Sequence, residues 1–282
     1  MSFFNICIVR PEGYIWSSLF LDLADLISFS LRDLGLDNRI LENRIDIAAR
    51  NIVIGCHLMD IDGSRNIPAD TIFFNTEQIG GLRNPLWAAR ISHFLSRFPS
   101  WDYSEENIRS LKDAGIAGTR LFRFGYHPKL KRIPDSDVKD IDILFYGSHS
   151  EARKSLLDSM VSHGMQVTRL LGVFGAERDH YIGRSKIVLN LHLYESKVFE
   201  IVRVHYLMNN GKAVLSQCDS NSKVDPNYSN GLTLVPYEEL LATARKILDS
   251  EPDRRQLEVQ SLRQIMAWDA VEIMRELVGN PC

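Results

Sequence analysis

One short stretch of the chain, VLNLHLYESKVFEIVRV, crowds five polar side chains together. They are His192, Glu195, Ser196, Lys197 and Glu200. The first half of this stretch alternates like a buried strand, and the second half has the periodicity of a helix. The polar residues therefore fall where a strand passes into a helix. Imidazole, hydroxyl, ammonium and carboxylate groups in such a place suit a ligand that carries both phosphate and hydroxyl groups.

The start of the predicted helix is the natural place for a phosphate, because its free backbone N–H groups and its dipole attract anions. Ser196 and Lys197 would add a hydroxyl and a cation there. Glu200 lies about one turn further in, where its carboxylate can accept two hydrogen bonds from a ribose diol. A structural interpretation stays open. In it, Glu200 faces solvent or pairs with Arg203, and His192 bonds to the backbone.

Strand and helix patterns alternate along the whole chain, which predicts an α/β fold with parallel sheets. The clearest strands of the first half are NICIVR, NIVIGCHL, DTIFFNTE and TRLFRFGY. Those of the second half are IDILFYG, QVTRLLG, KIVLNLHL and KAVLSQ. The charged segment 127–140 contains two prolines and is interpreted as a linker. We therefore expect two Rossmann-like domains, with ligands bound beyond the carboxyl ends of the strands.

The first half has its own polar residues near predicted strand ends. Gly13 and Tyr14 follow the first strand, where backbone N–H groups can approach a ligand. Glu77 ends the strand DTIFFNTE, whereas Asp102 lies in a predicted turn and is also explained as a local cap. His127 stands at the start of the linker. We expect the catalytic base among Glu77, Asp102 and His127, with Glu77 preferred because it ends a buried strand.

Composition limits the classes of function. The 282 residues include 33 basic and 36 acidic side chains, and the net charge of −3 favours neither nucleic acid nor an anionic membrane as a partner. No apolar run is long enough for a membrane span, and the first residues do not resemble a secretory signal, so we expect a cytoplasmic protein. The four cysteines are scattered, and the D-x-D match at 60–62 falls in the wrong domain, so we expect no metal.

The segment from His192 to Glu200 resembles the donor-binding segment of GT-B glycosyltransferases. In inverting members with this H-x7-E arrangement, the His contacts the diphosphate of a nucleotide sugar and the Glu holds the ribose hydroxyls. The resemblance implies the same roles for His192 and Glu200. Retaining members usually carry Glu in place of His192, so the resemblance favours inversion. The segment DILFYGSHSEARKSLL is similar to the first strand, glycine turn and helix of the GT-B donor domain. This implies that Gly147, Ser148 and Arg153 lie near the donor phosphates.

The resemblance extends over most of residues 120–282, and it is only architectural before them. The segments 172–192 and 197–216 resemble bacterial glycosyltransferases of surface polysaccharide and protein glycosylation. The expected donor contacts are completed by Gly13, Tyr14, Lys186, Ser196, Lys197 and Phe199. The expected domains are 1–134 for the acceptor, 135–265 for the nucleotide sugar, and 266–282 as a terminal helix that packs back on the first domain.

The resulting hypothesis is a metal-independent, inverting glycosyltransferase that needs no cofactor beyond its co-substrate, a nucleoside-diphosphate sugar. A base would deprotonate the acceptor hydroxyl while positive groups stabilise the departing diphosphate. The acceptor would be a glycan, a lipid-linked molecule or a protein, not a nucleic acid, and it can bring the protein to a membrane surface. Two alternatives stay open: a nucleotide-sugar epimerase or hydrolase on the same scaffold, and a non-catalytic partner subunit that binds nucleotide sugars.

Overall fold

A computed structural model of the chain describes residues 3–82, 84–134, 136–193, 198–219, 222 and 224–279. The chain divides into two compact units. The first consists of Met1–His127 with Asp269–Cys282, and the second consists of Pro128–Trp268. Each unit contains a parallel sheet flanked by helices. The predicted α/β class with two Rossmann-like domains is therefore confirmed.

The strands of the first unit are β1 (Phe4–Ile8), β2 (Asn38–Glu42), β3 (Arg50–Ile54), β4 (Ile72–Asn75), β5 (Ser100–Asp102) and β6 (Arg120–Leu121). They run parallel in the order β2-β1-β3-β4-β5-β6. The inner strands β1, β3 and β4 are apolar and buried, because helices cover both faces of a sheet of this kind. Parallel pairing brings the residues that follow these strands to one edge of the sheet.

The strands of the second unit are β7 (Ile141–Tyr146), β8 (Val167–Leu170), β9 (Ser185–Asn190), β10 (Val214–Gln217) and β11 (Thr233–Val235). They too are parallel, in the order β11-β10-β9-β7-β8. A core of Ile, Leu, Phe and Met side chains packs this sheet against its helices. The central position of β7 and β9 places the residues after them at the middle of the carboxyl edge.

The α-helices are, in chain order, α1 (Leu21–Asp33), α2 (Pro85–Leu95), α3 (Glu105–Asp113), α4 (Glu151–Ser162), α5 (Gly175–Arg184), α6 (Ile201–Asn209), α7 (Pro226–Ser229), α8 (Leu240–Asp249), α9 (Glu251–Met266) and α10 (Ala270–Val278). Short 3₁₀ helices lie at Ile15–Phe20, Cys56–Leu58, Asp62–Asn66, Ile79–Gly81, Pro128–Leu130 and Tyr237–Glu239. Within the described part of the chain, no helix combines the length and apolar character needed to cross a membrane.

The terminal helix α10 belongs to the first unit. The backbone N–H of Ala270 donates to the carbonyl of Tyr126 at 3.2 Å, and Asp269 caps the helix start. At the other end, the Arg120 guanidinium donates to the carbonyls of Leu277 and Glu276, both at 2.7 Å. These bonds satisfy carbonyls that the helix itself leaves without partners. The predicted return of the terminal helix to the first domain is confirmed.

The segment after His127 is held by hydrogen bonds to the second unit. The Asn210 side chain at the end of α6 accepts hydrogen bonds from the backbone N–H groups of Arg132 and Ile133, at 2.8 and 2.9 Å. Its amide donates to the carbonyl of Leu130, and Arg132 bonds the hydroxyl of Tyr206. The first part of the interpreted linker is thus attached to the second unit.

Three local predictions were wrong. The strand that carries the polar stretch ends at Asn190, and the following helix begins at Ile201, so Glu200 is the residue before the helix and not one turn inside it. Its ψ angle of 56° lies outside the helical range, which places the helix boundary there. Asp102 ends a three-residue strand instead of lying in a turn, because β5 pairs with β4 through Asn75 and Asp102.

Candidate functional site

The carboxyl edge of the second unit's sheet gathers polar side chains from three neighbouring strands. The strands β7, β9 and β10 end at Tyr146, Asn190 and Gln217. The predicted His192 and Glu200 follow β9 and meet at this edge. The His192 Nδ1 lies 3.2 Å from Glu200 Oε2, and both side chains are largely buried. The structure therefore brings the two residues of the H-x7-E arrangement into direct contact.

His192 is held from three directions. Besides its Nδ1 contact with Glu200, its Nε2 lies 3.1 Å from the Ser222 hydroxyl, and its backbone N–H donates to Gln217 Oε1 at 3.3 Å. An imidazole with an oxygen at each nitrogen can donate at one side and accept at the other. The ring orientation is thus fixed before any ligand arrives.

Glu200 is ionised at neutral pH. Burial is the largest influence on its carboxyl and raises the pKa, but the hydrogen bond and charge of His192, with the guanidinium groups of Arg203 and Arg153, outweigh it. The pKa of Glu200 therefore lies below its ordinary value. The amide of Asn190 also donates to its Oε2 at 3.3 Å. A buried, ionised carboxylate of this kind is a strong acceptor for ligand hydroxyl groups.

Arg203 was not among the predicted donor contacts, although it was noted as a possible partner of Glu200. Its guanidinium stacks over the Tyr146 ring at 5.3 Å and donates to Asn190 Oδ1 at 3.3 Å. It also covers Gly147, where an added Cβ would lie 3.0 Å from the Arg203 Nη2. Gly147 has a φ of 140°, which favours glycine. The glycine turn after β7 thus lets a cation lie close to the backbone at the carboxyl edge.

Arg153 lies at the carboxyl edge, as expected, but its partners are backbone carbonyls. It is buried and donates to the carbonyls of His192 at 3.2 Å, Ser148 at 2.7 Å and Leu191. Its guanidinium lies over the Phe145 ring at 5.3 Å. Arg153 therefore holds together the loops that follow β7 and β9, and its contribution to the carboxyl edge is to fix their backbones.

The remaining predicted donor contacts of the second unit are not assembled in the same way. Lys186 lies near the amino end of β9 and pairs with Asp142 at 2.7 Å, because a residue that opens a strand stands at the opposite edge from one that closes it. Phe199 is buried, and Ser148 lies in the turn after β7 with its carbonyl bonded to Arg153. Ser196 and Lys197 lie outside the described residues.

In the first unit, Glu77 follows β4 at the carboxyl edge. Asn75 clasps its backbone, donating to the Glu77 carbonyl at 2.9 Å and accepting from the Glu77 N–H at 3.2 Å. The Glu77 Oε1 lies 3.5 Å from Nε2 of His57, a residue that was not predicted to matter. Burial raises the pKa of Glu77 to about 7. A carboxyl group with such a pKa suits proton transfer near neutral pH.

Asp102 is fully enclosed. Its Oδ2 accepts from the Asn75 amide at 2.6 Å, and its Oδ1 accepts from the Asn107 amide at 3.0 Å and the Ser104 N–H at 2.8 Å. Burial raises its pKa to about 7 even though these bonds lower it. Both oxygens are used to join β4, β5 and the start of α3, so the geometry favours Glu77 over Asp102 as the base.

His127 is also enclosed. It has no exposed surface, its Nε2 lies 3.3 Å from Asp33 Oδ2, and its ring lies 5.5 Å from that of Phe29. These contacts attach the end of the first unit's main segment to α1. His127 is thus enclosed, whereas the Glu77 side chain is 15% exposed, so burial again favours Glu77.

Gly13 and Tyr14 follow β1, as predicted, and form the turn before the 3₁₀ helix Ile15–Phe20. Gly13 has a φ of 73°, and the Tyr14 N–H donates to the carbonyl of Pro11 at 3.0 Å. Beside this turn lies a cavity of about 430 Å³. It is lined by Cys7, Val9, Arg10, Pro11, Glu12, Asn43, Ile45, Leu58, Met59 and Asp60. Its lining combines apolar and polar residues.

Among the described residues, no group of three or more His, Cys, Asp and Glu side chains is arranged to hold a metal ion.

No protein-family model matches the sequence. Three proteins of Acanthamoeba polyphaga mimivirus, all named only as uncharacterized, are similar to it. L137 is 24% identical and aligns with 86% of this chain, L140 is 26% identical over 64%, and L138 is 30% identical over 72%. The chain spans 33%, 59% and 24% of their respective lengths.

Solved structures of glycosyltransferases superpose on nearly the whole chain. WaaG, a glycosyltransferase involved in lipopolysaccharide biosynthesis, has a TM-score of 0.61 at 11% identity and covers 97% of this chain and 98% of its own. The T4 phage BGT in complex with UDP-glucose has the same TM-score and identity, with 98% of each chain covered. AviGT4, from avilamycin A biosynthesis, has a TM-score of 0.57 at 13% identity and covers 98% of this chain and 96% of its own. The chain has the GT-B fold of these glycosyltransferases.

Proposed function

We propose that the protein is a glycosyltransferase that moves a sugar from a nucleoside-diphosphate sugar to an acceptor hydroxyl. The observation that carries the proposal is the buried pair of His192 and Glu200 at the carboxyl edge of the second unit, with Arg203 beside Gly147. A ribose diol, a diphosphate and a sugar are the groups that such a carboxylate, imidazole and guanidinium recognise together. The GT-B fold of the chain agrees with this chemistry.

In the proposed complex, the two ribose hydroxyls donate to the Glu200 carboxylate. Hydrogen bonds of this type involve an ionised acceptor and are therefore stronger than those between neutral groups. The diphosphate lies against Arg203 and the backbone of the Gly147 turn, next to His192. Positive and polar groups in a partly buried site stabilise the negative charge that develops on the leaving diphosphate. This supports a reaction that needs no obligatory metal.

The first unit supplies the acceptor side of the proposed reaction. Glu77 takes the proton of the acceptor hydroxyl, whose oxygen forms a bond to the anomeric carbon. The bond from that carbon to the diphosphate oxygen breaks, and its electron pair leaves with the diphosphate. One displacement of this kind inverts the anomeric configuration. The cavity beside β1 is the proposed place for part of the acceptor, because its volume falls in the range of small-molecule sites.

The nature of the acceptor is part of the proposal. A glycan, a lipid-linked molecule or a protein offers the required hydroxyl group, and a lipid-linked acceptor would bring the enzyme to a membrane surface. One structurally similar protein, a β-glucosyltransferase with a TM-score of 0.59, is described as a DNA modifying enzyme. Duplex DNA therefore belongs among the acceptors tested, although the balance of charge in this chain does not favour nucleic acid.

Ligand-dependent stabilisation tests the donor site. The melting temperature is measured with nucleoside diphosphates and their sugars, since a ligand at 100 times its Kd stabilises the folded state by about 2.7 kcal/mol. We expect at least one nucleotide to raise the melting temperature of the wild type and to bind roughly ten- to a hundredfold more weakly to Glu200→Ala.

The matched control is Glu177→Ala, which removes an exposed glutamate from the first turn of α5 in the same unit. Its nucleotide affinity should equal that of the wild type. If Glu200→Ala binds every nucleotide as tightly as the control does, Glu200 does not hold the ribose. If no nucleotide stabilises the wild type, the proposed donor site is wrong.

A further inference from the structure

The pair of His57 and Glu77 is a second buried contact between an imidazole and a carboxylate, and it lies in the first unit. His57 is only 1% exposed, and the Glu77 side chain is 15% exposed. The contact joins His57 Nε2 to Glu77 Oε1 at 3.5 Å. Glu77 thus reaches the surface of its unit with one carboxylate oxygen already facing an imidazole nitrogen.

The His57 ring is clamped by aromatic side chains. The Trp87 ring lies 4.6 Å from it, and Phe20 meets it edge-on at 6.2 Å. Gly55 precedes His57 by two residues and has a φ of 94°. A Cβ added to Gly55 would lie 3.0 Å from the Phe20 ring. His57 also accepts a hydrogen bond from Arg90 at its own carbonyl, at 3.2 Å. The ring is therefore held in one orientation by packing on both sides.

The backbone of Glu77 is fixed as firmly. Besides the two bonds from Asn75, the Asn107 amide donates to the Glu77 carbonyl at 2.8 Å. The same Asn107 amide bonds Asp102, so the position of Glu77 depends on a network that crosses β4, β5 and α3. The Glu77 side chain therefore extends from a fixed backbone position toward a fixed imidazole ring.

We propose that His57 is a positioning residue for Glu77. The His57 imidazole donates its Nε2–H to Glu77 Oε1, and Glu77 Oε2 is left to take the proton of the acceptor. This inference rests on the proposed function, in which Glu77 is the base. The imidazole does not exchange its proton in the reaction. The acceptor O–H bond breaks, the proton goes to Oε2, and the donor bond on Oε1 stays in place throughout.

The charges around the pair agree with a neutral imidazole. Burial, together with the charge of Arg90 on α2, lowers the pKa of His57 to about 4. Burial raises the pKa of Glu77 to about 7. Two other titratable groups lie nearby, Cys56 and Asp102 on β5. Burial and the charge of Glu77 raise the pKa of Cys56 to about 12. Near neutral pH, the proton that this pair exchanges with solvent therefore belongs to Glu77.

The first test uses the wild-type protein. Nitrogen-15 NMR of the His57 ring, assigned by its loss in His57→Phe or His57→Gln, reports which ring nitrogen carries the proton. The inference requires the Nε2–H tautomer while Glu77 titrates. A ring protonated at Nδ1 would present a lone pair to the carboxylate and would overturn it.

The second test is the titration of the Glu77 carboxyl, followed by carbon-13 NMR in three proteins. His57→Phe keeps a ring but removes the donor, so the ionised form loses a hydrogen bond and the Glu77 pKa should rise by about one unit. His57→Gln retains an N–H near the Nε2 position and should return the pKa toward the wild-type value. The control is His93→Gln, because His93 on α2 bonds Ser64 and should leave Glu77 unchanged. An unchanged pKa in His57→Phe overturns the inference.

Failure of this inference is distinguishable from failure of the proposed function. The rate of UDP-glucose hydrolysis, in which water replaces the acceptor, should fall in Glu77→Gln and, by a smaller factor, in His57→Phe. Wild-type hydrolysis by both variants would show that the pair does not position a base, even if nucleotides bind the second unit. Absence of nucleotide binding, in contrast, would remove the proposed function while leaving the NMR result on His57 unaffected.

Discussion

At the scale of single residues, Glu200 of the second unit and Glu77 of the first have pKa values that are shifted in opposite directions. Glu200 is kept ionised, because His192 and the nearby guanidinium groups outweigh the burial that raises its pKa. Glu77 has burial without such cations, and its pKa rises to about 7. An ionised carboxylate holds hydroxyl groups, whereas one that titrates near neutral pH transfers a proton. The surroundings of each side chain thus assign its chemistry.

The raised pKa of Glu77 has a consequence for stability. A carboxyl group whose pKa is raised on folding stabilises the folded state most at low pH, where it is protonated. For Glu77 this contribution is complete below the unfolded pKa of 4.5 and is lost as the pH rises through about 7. The loss corresponds to about 3 kcal/mol. Glu77→Gln cannot ionise, so its melting temperature relative to the wild type should increase between about pH 5 and about pH 8.

The exposed Glu177→Gln serves as the control for this measurement, and its difference from the wild type should not change with pH. Asp102 changes the pH dependence of stability in the same direction as Glu77, and His57 changes it in the opposite direction. Both residues are present in the wild type and in the variant, so their effects cancel in the difference. A Glu77→Gln difference that is constant across this pH range would contradict the raised pKa.

Arg203 is expected to bind the diphosphate. Replacing it with methionine keeps the aliphatic length but removes the charge, and a hydrogen bond to a charged group is worth about 1.5 to 3 kcal/mol. Arg203→Met should therefore bind UDP roughly ten- to a hundredfold more weakly in calorimetry. Its affinity for uridine, which lacks phosphates, should change much less.

The control for Arg203 is Arg255→Met. Arg255 is an exposed residue of α9, and it forms ion pairs with Glu251 and Glu258 of the same helix. Equal losses of UDP and uridine affinity in Arg203→Met would mean that the residue shapes the site without touching the diphosphate.

At the scale of elements, Arg153 connects the turn after β7 with the end of β9. Removing it leaves the carbonyls of Ser148, Leu191 and His192 without their shared donor. Because each buried polar group left unpaired costs about 1 to 3 kcal/mol, Arg153→Met should lower the free energy of unfolding by about 2 to 5 kcal/mol. Denaturant titration measures this change.

The neighbouring Lys154→Met is the matched control, because Lys154 lies on the same helix but is exposed and pairs only with Asp158 among its recorded partners. Its unfolding free energy should stay within about 0.5 kcal/mol of the wild type. A similarly small change in Arg153→Met would show that the loops hold their positions without this residue.

The sequence predicted the elements with strong patterns and failed where tertiary contacts decide. Apolar strands such as β1 and β7 are predicted by their short apolar runs. The strand β5 has only three residues, and it exists because Asn75 and Asp102 pair across β4 and β5. The start of α6 was placed too early, because its boundary at Glu200 is set by the contact with His192 and not by a cap signal in the sequence.

The candidate site was predictable in part for the same reason. The types and spacing of His192 and Glu200 indicated a ligand site, since both follow a buried strand. The place of Arg203 depends on Gly147, which is distant in sequence, and that of His57 depends on Phe20 and Trp87. No local pattern records such contacts. Arg153 had the right location but a different role, because its partners are backbone carbonyls.

At the scale of the whole molecule, the chain is built from two parallel sheets whose carboxyl edges hold different chemistry. The second unit has the buried His192 and Glu200 with Arg203, and the first has Glu77 with His57 as well as the cavity beside β1. The chain also spans only part of its mimiviral relatives, so those longer proteins contain segments beyond this pair of units. The proposal therefore concerns the reaction that these two units carry.

Metal independence is a prediction about the complete enzyme. We expect sugar transfer to continue in excess EDTA, because Arg203 and the other polar groups of the second unit take the place of a cation at the diphosphate. The measurement compares turnover before and after chelation, with a metal-dependent glycosyltransferase as the positive control. Activity that EDTA abolishes and that magnesium or manganese restores would contradict this scheme.

Sugar transfer by this protein is best tested by following both products of the reaction. The protein is incubated with a panel of nucleotide sugars and with glycan, lipid-linked, peptide and duplex DNA acceptors, and mass spectrometry detects the free nucleoside diphosphate and the glycosylated acceptor. We predict that one donor yields both products in equal amounts, and that Glu77→Gln and Glu200→Ala yield far less of each. Conversion of the donor sugar without any acceptor product, or binding of nucleotide sugars with no turnover under any combination, would contradict it.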